Sequence, residues 1–253
     1  MKTTSRRPSG PKTHRTPSQM TNRALLMAIA AVIALATVVS TEAQADTLSF
    51  RLGGSDAAVT DDSYDFLSDD PFLSMGQLGV HYALLDNLWV GMEYAWGVEN
   101  LDPLQGVSTT LDIDGLYLSA RGQYEVLSFL TPYAVLGGGF NNMELDVTVA
   151  GQSRAQTATT FLAYGLIGTE IHLPKSSLRK LFKISKRGWA RDLTIGFALE
   201  AGYQWSGQAD FTELSRPSSD DEPEQAPLEA SDLNLGTVDL SGVVMRSAFF
   251  VRF

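Results

Sequence analysis

Glu93, Arg121, Glu170, Glu200 and Arg246 stand singly within segments that are otherwise apolar, small or uncharged. A charge enclosed in such surroundings costs several kcal/mol unless it meets a partner, on the order of 3–5 kcal/mol once one member of a pair is lost. His81 and His172 lie in similar surroundings and raise two other possibilities. Two histidines with carboxylates could ligate a metal, and a histidine with a serine and an acid could activate a nucleophile. Neither constellation is legible here. The two histidines sit singly on well-separated segments, and no Ser–His–acid grouping emerges. The expectation is therefore ion pairing, with no catalytic residue, no metal ligand and no cofactor.

The segments that carry these residues alternate. From Leu193 to Trp205, odd positions hold Leu, Ile, Phe, Leu, Ala, Tyr and Trp, while even positions hold Thr, Gly, Ala, Glu, Gly and Gln. Leu88–Trp96 repeats the pattern, with Leu88, Val90, Met92, Tyr94 and Trp96 on one face. Period two over such lengths is a strand between two unlike environments. Six further stretches read the same way, at 47–54, 73–84, 111–124, 132–147, 158–173 and 243–253, which makes eight strands. Most reach the roughly 9–11 residues that a tilted strand needs to cross a bilayer.

The polar face is rich in glycine: Gly76, Gly79, Gly91, Gly137, Gly139, Gly196 and Gly202 are assigned to it. Small residues suit the crowded interior of a narrow barrel. Tyr94, Trp96, Tyr203 and Trp205 cluster near one end of their strands, as interfacial aromatic girdles do. Turning the polar face inward puts Arg51, His81, Glu93, Arg121, Glu170, His172, Glu200, Arg246 and Arg252 in the lumen. Counting depth along neighbouring strands pairs Glu93 with Arg121 and Glu200 with Arg246, which would plug the lumen.

Residues 1–45 read as an export signal. A basic stretch (Arg6, Arg7, Lys12, Arg15, Arg23) precedes an apolar run from Ala24 to about Val39 and the small-x-small site Ala43-Gln44-Ala45. Met20 is an alternative start. The barrel domain is then 46–253. The net charge of −10 becomes about −15 once six basic and one acidic residue are removed with the signal. That sign excludes nucleic acid as a partner. The absence of cysteine excludes disulfides and thiolate metal sites.

Connections alternate in length. The outer ones are placed at 55–72, 97–110, 148–157 and 206–242. The first (Asp56, Asp61, Asp62, Asp65, Asp69, Asp70) and last (from Asp210 and Glu213 to Asp232) are acidic and are candidates for divalent cations bridging to lipopolysaccharide. The inner connections fall at 85–87, 125–131 and 174–192. The last of these is basic and amphipathic. Lys180, Lys183, Lys186, Arg187 and Trp189 suit the anionic membrane surface or a periplasmic partner.

At the other end, Val243, Met245, Phe249, Val251 and Phe253 alternate outward. This pattern resembles the C-terminal assembly signal of bacterial outer-membrane barrels, with Ala248 standing where glycine is frequent. The resemblance implies that Phe249, Val251 and Phe253 are read by the barrel-assembly machinery. Thr131-Pro132-Tyr133 leading into Leu136-Gly137-Gly138-Gly139-Phe140 is also similar to a strand of the small eight-stranded family typified by the OmpA membrane domain. Membership implies an all-β, eight-stranded antiparallel up-and-down transmembrane β-barrel in the bacterial outer membrane. Its surroundings would be outer-membrane lipids and lipopolysaccharide, and its role structural or surface-interacting. Two alternatives stay open: a narrow or gated small-solute channel, and a lipid A-modifying enzyme on the same architecture.

Overall fold

The computed structural model describes residues 48–61, 64, 71–104, 107–149, 152–174, 193–211 and 236–253. Eight strands close into one antiparallel barrel: β1 (Leu48–Val59), β2 (Phe72–Leu85), β3 (Leu88–Leu104), β4 (Val107–Gln123), β5 (Leu130–Val149), β6 (Gln152–His172), β7 (Thr194–Ser206) and β10 (Gly242–Arg252). Each strand pairs with its neighbour in sequence, and β1 closes on β10. Two short strands, β8 (Gln208–Asp210) and β9 (Thr237–Asp239), pair with each other above β7 and β10. The expected fold is the one observed. The expected signal at 1–45, the basic connection with Lys180, Lys183, Lys186, Arg187 and Trp189, and the acidic run from Glu213 to Asp232 lie outside the described residues.

The seam is made at the lower end of the barrel. Leu48 and Phe253 exchange backbone hydrogen bonds of 3.2 and 2.9 Å. Above them Val251 sits opposite Phe50, and Phe249 opposite Leu52. Alternation then sends Leu118, Leu136, Ile167 and Phe249 outward, each 65–73 % exposed. A belt of this kind is unstable in water and is what a lipid-facing surface requires.

The upper end of the barrel differs from the expectation. Residues expected as outer connections at 97–110 and 148–157 continue β3, β4, β5 and β6 instead, leaving only 105–106 and 150–151 between described strands. β5 and β6 contain 20 and 21 residues. At about 3.3 Å per residue they span some 65–70 Å, well beyond what a tilted crossing of a 30 Å hydrocarbon layer uses. These strands therefore stand above the apolar belt as a wall. They were missed because their outward residues turn polar there: Asn100 on β3, Ser108 and Thr110 on β4, Thr148 on β5 and Thr157 on β6. Asp56, expected in a connection, is likewise on β1, where its carboxylate accepts a bond from the Ser74 hydroxyl at 2.6 Å.

Glycines face the large lumenal rings. Gly91 lies opposite His81, Gly137 opposite Tyr164, Gly168 opposite Tyr133 and Gly196 opposite Phe250. A methyl group at Gly91 would come within 2.2 Å of the His81 ring, and one at Gly137 within 2.3 Å of the Tyr164 ring. Glycine is required there because a neighbouring ring occupies the space of its missing side chain. Gly76 is the exception to the expected inward set. It lies opposite Trp96 on the outward face, beneath the indole.

Two predictions follow from this architecture. Gly91→Val and Gly137→Leu overfill the lumen and should each cost about 1–3 kcal/mol. The readout is the heat-modifiable mobility of the folded barrel on a detergent gel, whose transition should move to lower temperature. On the wall, Asp112 faces Glu144 directly and Thr110 faces Asp146. Partial burial, then repulsion from Asp146 and its neighbours, raises the carboxyls of Asp112 and Glu144 above their usual range. A raised carboxylate destabilises above its folded-state pKa and stops doing so as pH falls through it. Asp112→Asn should therefore slow hydrogen exchange in the β4–β5 hairpin at pH about 8, with the difference fading toward pH about 4.

Candidate functional site

The lumen has two layers. Its lower half holds the charged residues, all on inward positions of their strands. At the centre is Glu170 on β6, with no exposed surface. Its Oε1 accepts from the guanidiniums of Arg51 and Arg121, each at 2.6 Å, and its Oε2 accepts from Arg252 at 2.7 Å. His172 brings Nε2 to 3.3 Å from the same carboxylate. The cations come from β1, β4 and β10, so one carboxylate ties three other strands to β6 across the lumen.

Arg51 also reaches Glu200 at 2.6 Å, and Glu200 accepts from the Tyr133 hydroxyl at 2.7 Å. One step higher, Glu93 accepts from Arg246 at 3.1 Å and from the Tyr164 hydroxyl at 2.9 Å, and lies 3.2 Å from His81. Aromatic faces carry the remaining surface of the cations. Arg246 stacks 4.0 Å from the Tyr164 centroid and Arg252 4.4 Å from Trp89, while Arg121 lies 5.1–5.2 Å from both Tyr133 and Trp89. Such contacts are favourable where the cation is shielded from water.

All five charged residues singled out in the sequence thus face the lumen, in two clusters around Glu170 and Glu93 and with other partners than expected. Arg121 was expected on Glu93 and meets Glu170 instead. The register explains this: Arg121 lies opposite Trp89, four residues below Glu93. Arg246 does lie opposite Glu200, yet its guanidinium crosses the lumen to Glu93. Depth counting considered only adjacent strands, whereas long side chains in a narrow barrel reach over the middle. Arg51 and Arg252, placed in the lumen but given no role, turn out to hold the central carboxylate. Tyr133 and Tyr164 were missed. Their signal was available in the inward parity of each, facing Gly168 and Gly137.

The upper half of the lumen is apolar, which the polar inner face did not suggest. Leu73, Leu111, Ile113, Met143, Leu145 and Val244 fill it, each at most 2 % exposed. Tyr64 joins the same buried cluster, as do Ala209, Phe211, Val238 and Leu240 from β8, β9 and their flanks. Phe211 donates to the Gly236 carbonyl at 2.9 Å, and Gly236 takes a left-handed backbone (φ 72°) that favours glycine. Gln204 ties this cap down by donating to the Leu240 carbonyl at 2.7 Å.

Two constellations considered from the sequence can now be located. His81 and His172 belong to separate clusters, around Glu93 and Glu170, and among the described residues no group of three or more histidines and acids is arranged to hold a metal. Ser119, His81 and Glu93 do come together, which the sequence did not reveal. Ser119 Oγ lies 3.3 Å and Glu93 Oε1 3.2 Å from the same ring nitrogen, Nε2. A relay needs the acid on one nitrogen and the nucleophile on the other, so this geometry does not make one. Phe249, Val251 and Phe253 lie on the outward face beside the seam; Phe249 packs edge-on to Phe197 and Phe253 to Phe50.

The chain is similar to Ail, the attachment invasion locus protein of Yersinia pestis, crystallised with the heparin analogue sucrose octasulfate. The identity is 11 %, covering 83 % of this chain and 100 % of that one, with a TM-score of 0.45. Neisserial surface protein A matches at 12 % identity over 83 % of this chain and 100 % of its own, with a TM-score of 0.41. No curated protein matches by sequence. The family profile for the outer membrane protein beta-barrel domain matches residues 30–238. With its closed eight-stranded barrel and outward apolar belt, the chain belongs to that family and is a protein of the bacterial outer membrane.

Proposed function

We propose that this protein is a plugged barrel with a structural or surface-interaction role, its tall wall facing outward from the cell. The carrying observation is the filled lumen. Ion pairs cross its lower half and apolar side chains pack its upper half, while the cavity beside Arg51, Glu93 and Arg246 holds about 20 Å³. That is room for roughly one water molecule. What remains available to partners is the outside (the apolar belt for lipid, the wall above it and the connections) and the lower mouth.

Several finer assignments belong to the same reading. Residues 1–45 act as the export signal, and the barrel-assembly machinery recognises Phe249, Val251 and Phe253. The reciprocal bonds between Phe253 and Leu48 support this, since the recognised strand is the one that completes the barrel. Lys180, Lys183, Lys186, Arg187 and Trp189 contact the inner-leaflet surface of the outer membrane. The acidic outer connections bridge through divalent cations to lipopolysaccharide. The protein is not an enzyme, a reading supported by the enclosure of Ser119 and His81, 6 % and 2 % exposed, away from any substrate.

Purified wild-type protein should add no conductance steps to planar bilayers and cause no liposome swelling; sustained steps would favour the channel reading. Glu170→Ala should stay silent too, because the apolar layer is untouched, while losing about 3–5 kcal/mol of stability as three guanidiniums lose their acceptor. Lipid A from cells expressing Ser119→Ala or His81→Ala should give the same mass spectrum as lipid A from cells expressing wild type. A changed acyl pattern would overturn the non-enzymatic reading.

A further inference from the structure

The charges in the lumen do not balance. Among the described residues, four lumenal guanidiniums (Arg51, Arg121, Arg246, Arg252) face three lumenal carboxylates (Glu93, Glu170, Glu200). Arg246 and Glu93 pair in the upper part of the network. The excess therefore sits lower down, where three guanidiniums share Glu170 and Glu200. A buried cation without its full counter-charge is costly, and the cost is relieved by an anion or by water.

The structure offers a place for such an anion. A cavity of about 850 Å³ opens at the lower mouth, lined by Arg252, His172, Thr131 and Thr194, with Asp86 and Glu125 on its exposed rim. Arg252 is only 6 % exposed and forms part of the cavity wall. Its Nη2 is engaged by Glu170, while its Nε has no hydrogen-bond partner among the described residues. Nε donors of Arg51 and Arg121 behind it, and Nη2 of Arg121, are unpartnered in the same way. Thr131 and Thr194 add hydroxyl groups to the wall. These guanidinium nitrogens are enclosed, so what Arg252 offers the cavity is cationic charge that its carboxylate neighbours do not fully compensate, and such charge beside a hydroxyl-bearing wall suits an oxyanion.

We propose that this mouth binds one phosphate group, seated against Arg252. The group comes either from free phosphate or from a phospholipid headgroup, since the cavity far exceeds inorganic phosphate in size. The proposal does not rest on the surface-interaction reading, and a silent lumen in conductance work leaves it intact.

The test is calorimetric titration of inorganic phosphate into the folded full-length barrel in an uncharged detergent, with sodium chloride at matched ionic strength as reference. Wild type should bind one phosphate per barrel, and Arg252→Gln should weaken binding at least about tenfold. If that variant does not fold, Thr194→Val on the adjoining β7 and His172→Gln on β6 provide the same comparison on the same side of the mouth. No binding by wild type, or binding unchanged in the folded variants, overturns the proposal. Nanodiscs then separate the sources. If nanodiscs of phosphatidylcholine or phosphatidylglycerol suppress phosphate binding relative to the uncharged, phosphate-free detergent, the site takes a headgroup. If they do not, the site takes free phosphate.

Discussion

Glu170 accepts from three guanidiniums on three other strands, and the lower half of the barrel is arranged so that they can reach it. A charge with no exposed surface is tolerable only when its oxygens are saturated by donors. Meeting that requirement places long cationic side chains on β1, β4 and β10 at matched heights. It also places flat rings against their free faces, and glycines opposite the rings so that the strands can close. Gly91, Gly137, Gly168 and Gly196 are thus consequences of the network at one remove.

The apolar upper layer follows a different logic. Above the belt, β3 to β6 are no longer held by lipid on their outer side, and their inner faces need covering from within. Tyr64, Phe211, Val238 and Leu240 do this, turning the top of the lumen into an ordinary protein core. The outcome is a barrel sealed twice, by charge below and by packing above. Sealing leaves the wall and its connections as the parts of the molecule that meet the surroundings.

Much of this was legible from alternation. Strand parity placed Glu93, Arg121, Glu170, Glu200 and Arg246 inside correctly, because a period-two pattern fixes faces without any tertiary information. It could not fix partners. Those depend on the barrel's shear, which sets Arg121 level with Trp89 rather than Glu93, and on side chains long enough to pass over the axis. Strand ends were misread for a related reason. Alternation between apolar and polar faces is visible only where the outer face meets lipid, so the stretches around Thr110 and Thr157 looked like connections although their backbones remain paired. Gly76 was misassigned because a small residue carries no mark of its own face; strand parity with Met75, Gly79 and His81 puts it outward, under Trp96.

The central claim is that Glu170 and its guanidiniums act as one coupled unit rather than as independent buried charges. A double-mutant cycle on Arg121→Met and Glu170→Gln, read by urea unfolding of the barrel in lipid vesicles, tests this most directly. The network predicts a coupling energy of about 1–3 kcal/mol, with the double variant less destabilised than the sum of the single ones. Effects that add to within about 0.5 kcal/mol would contradict it.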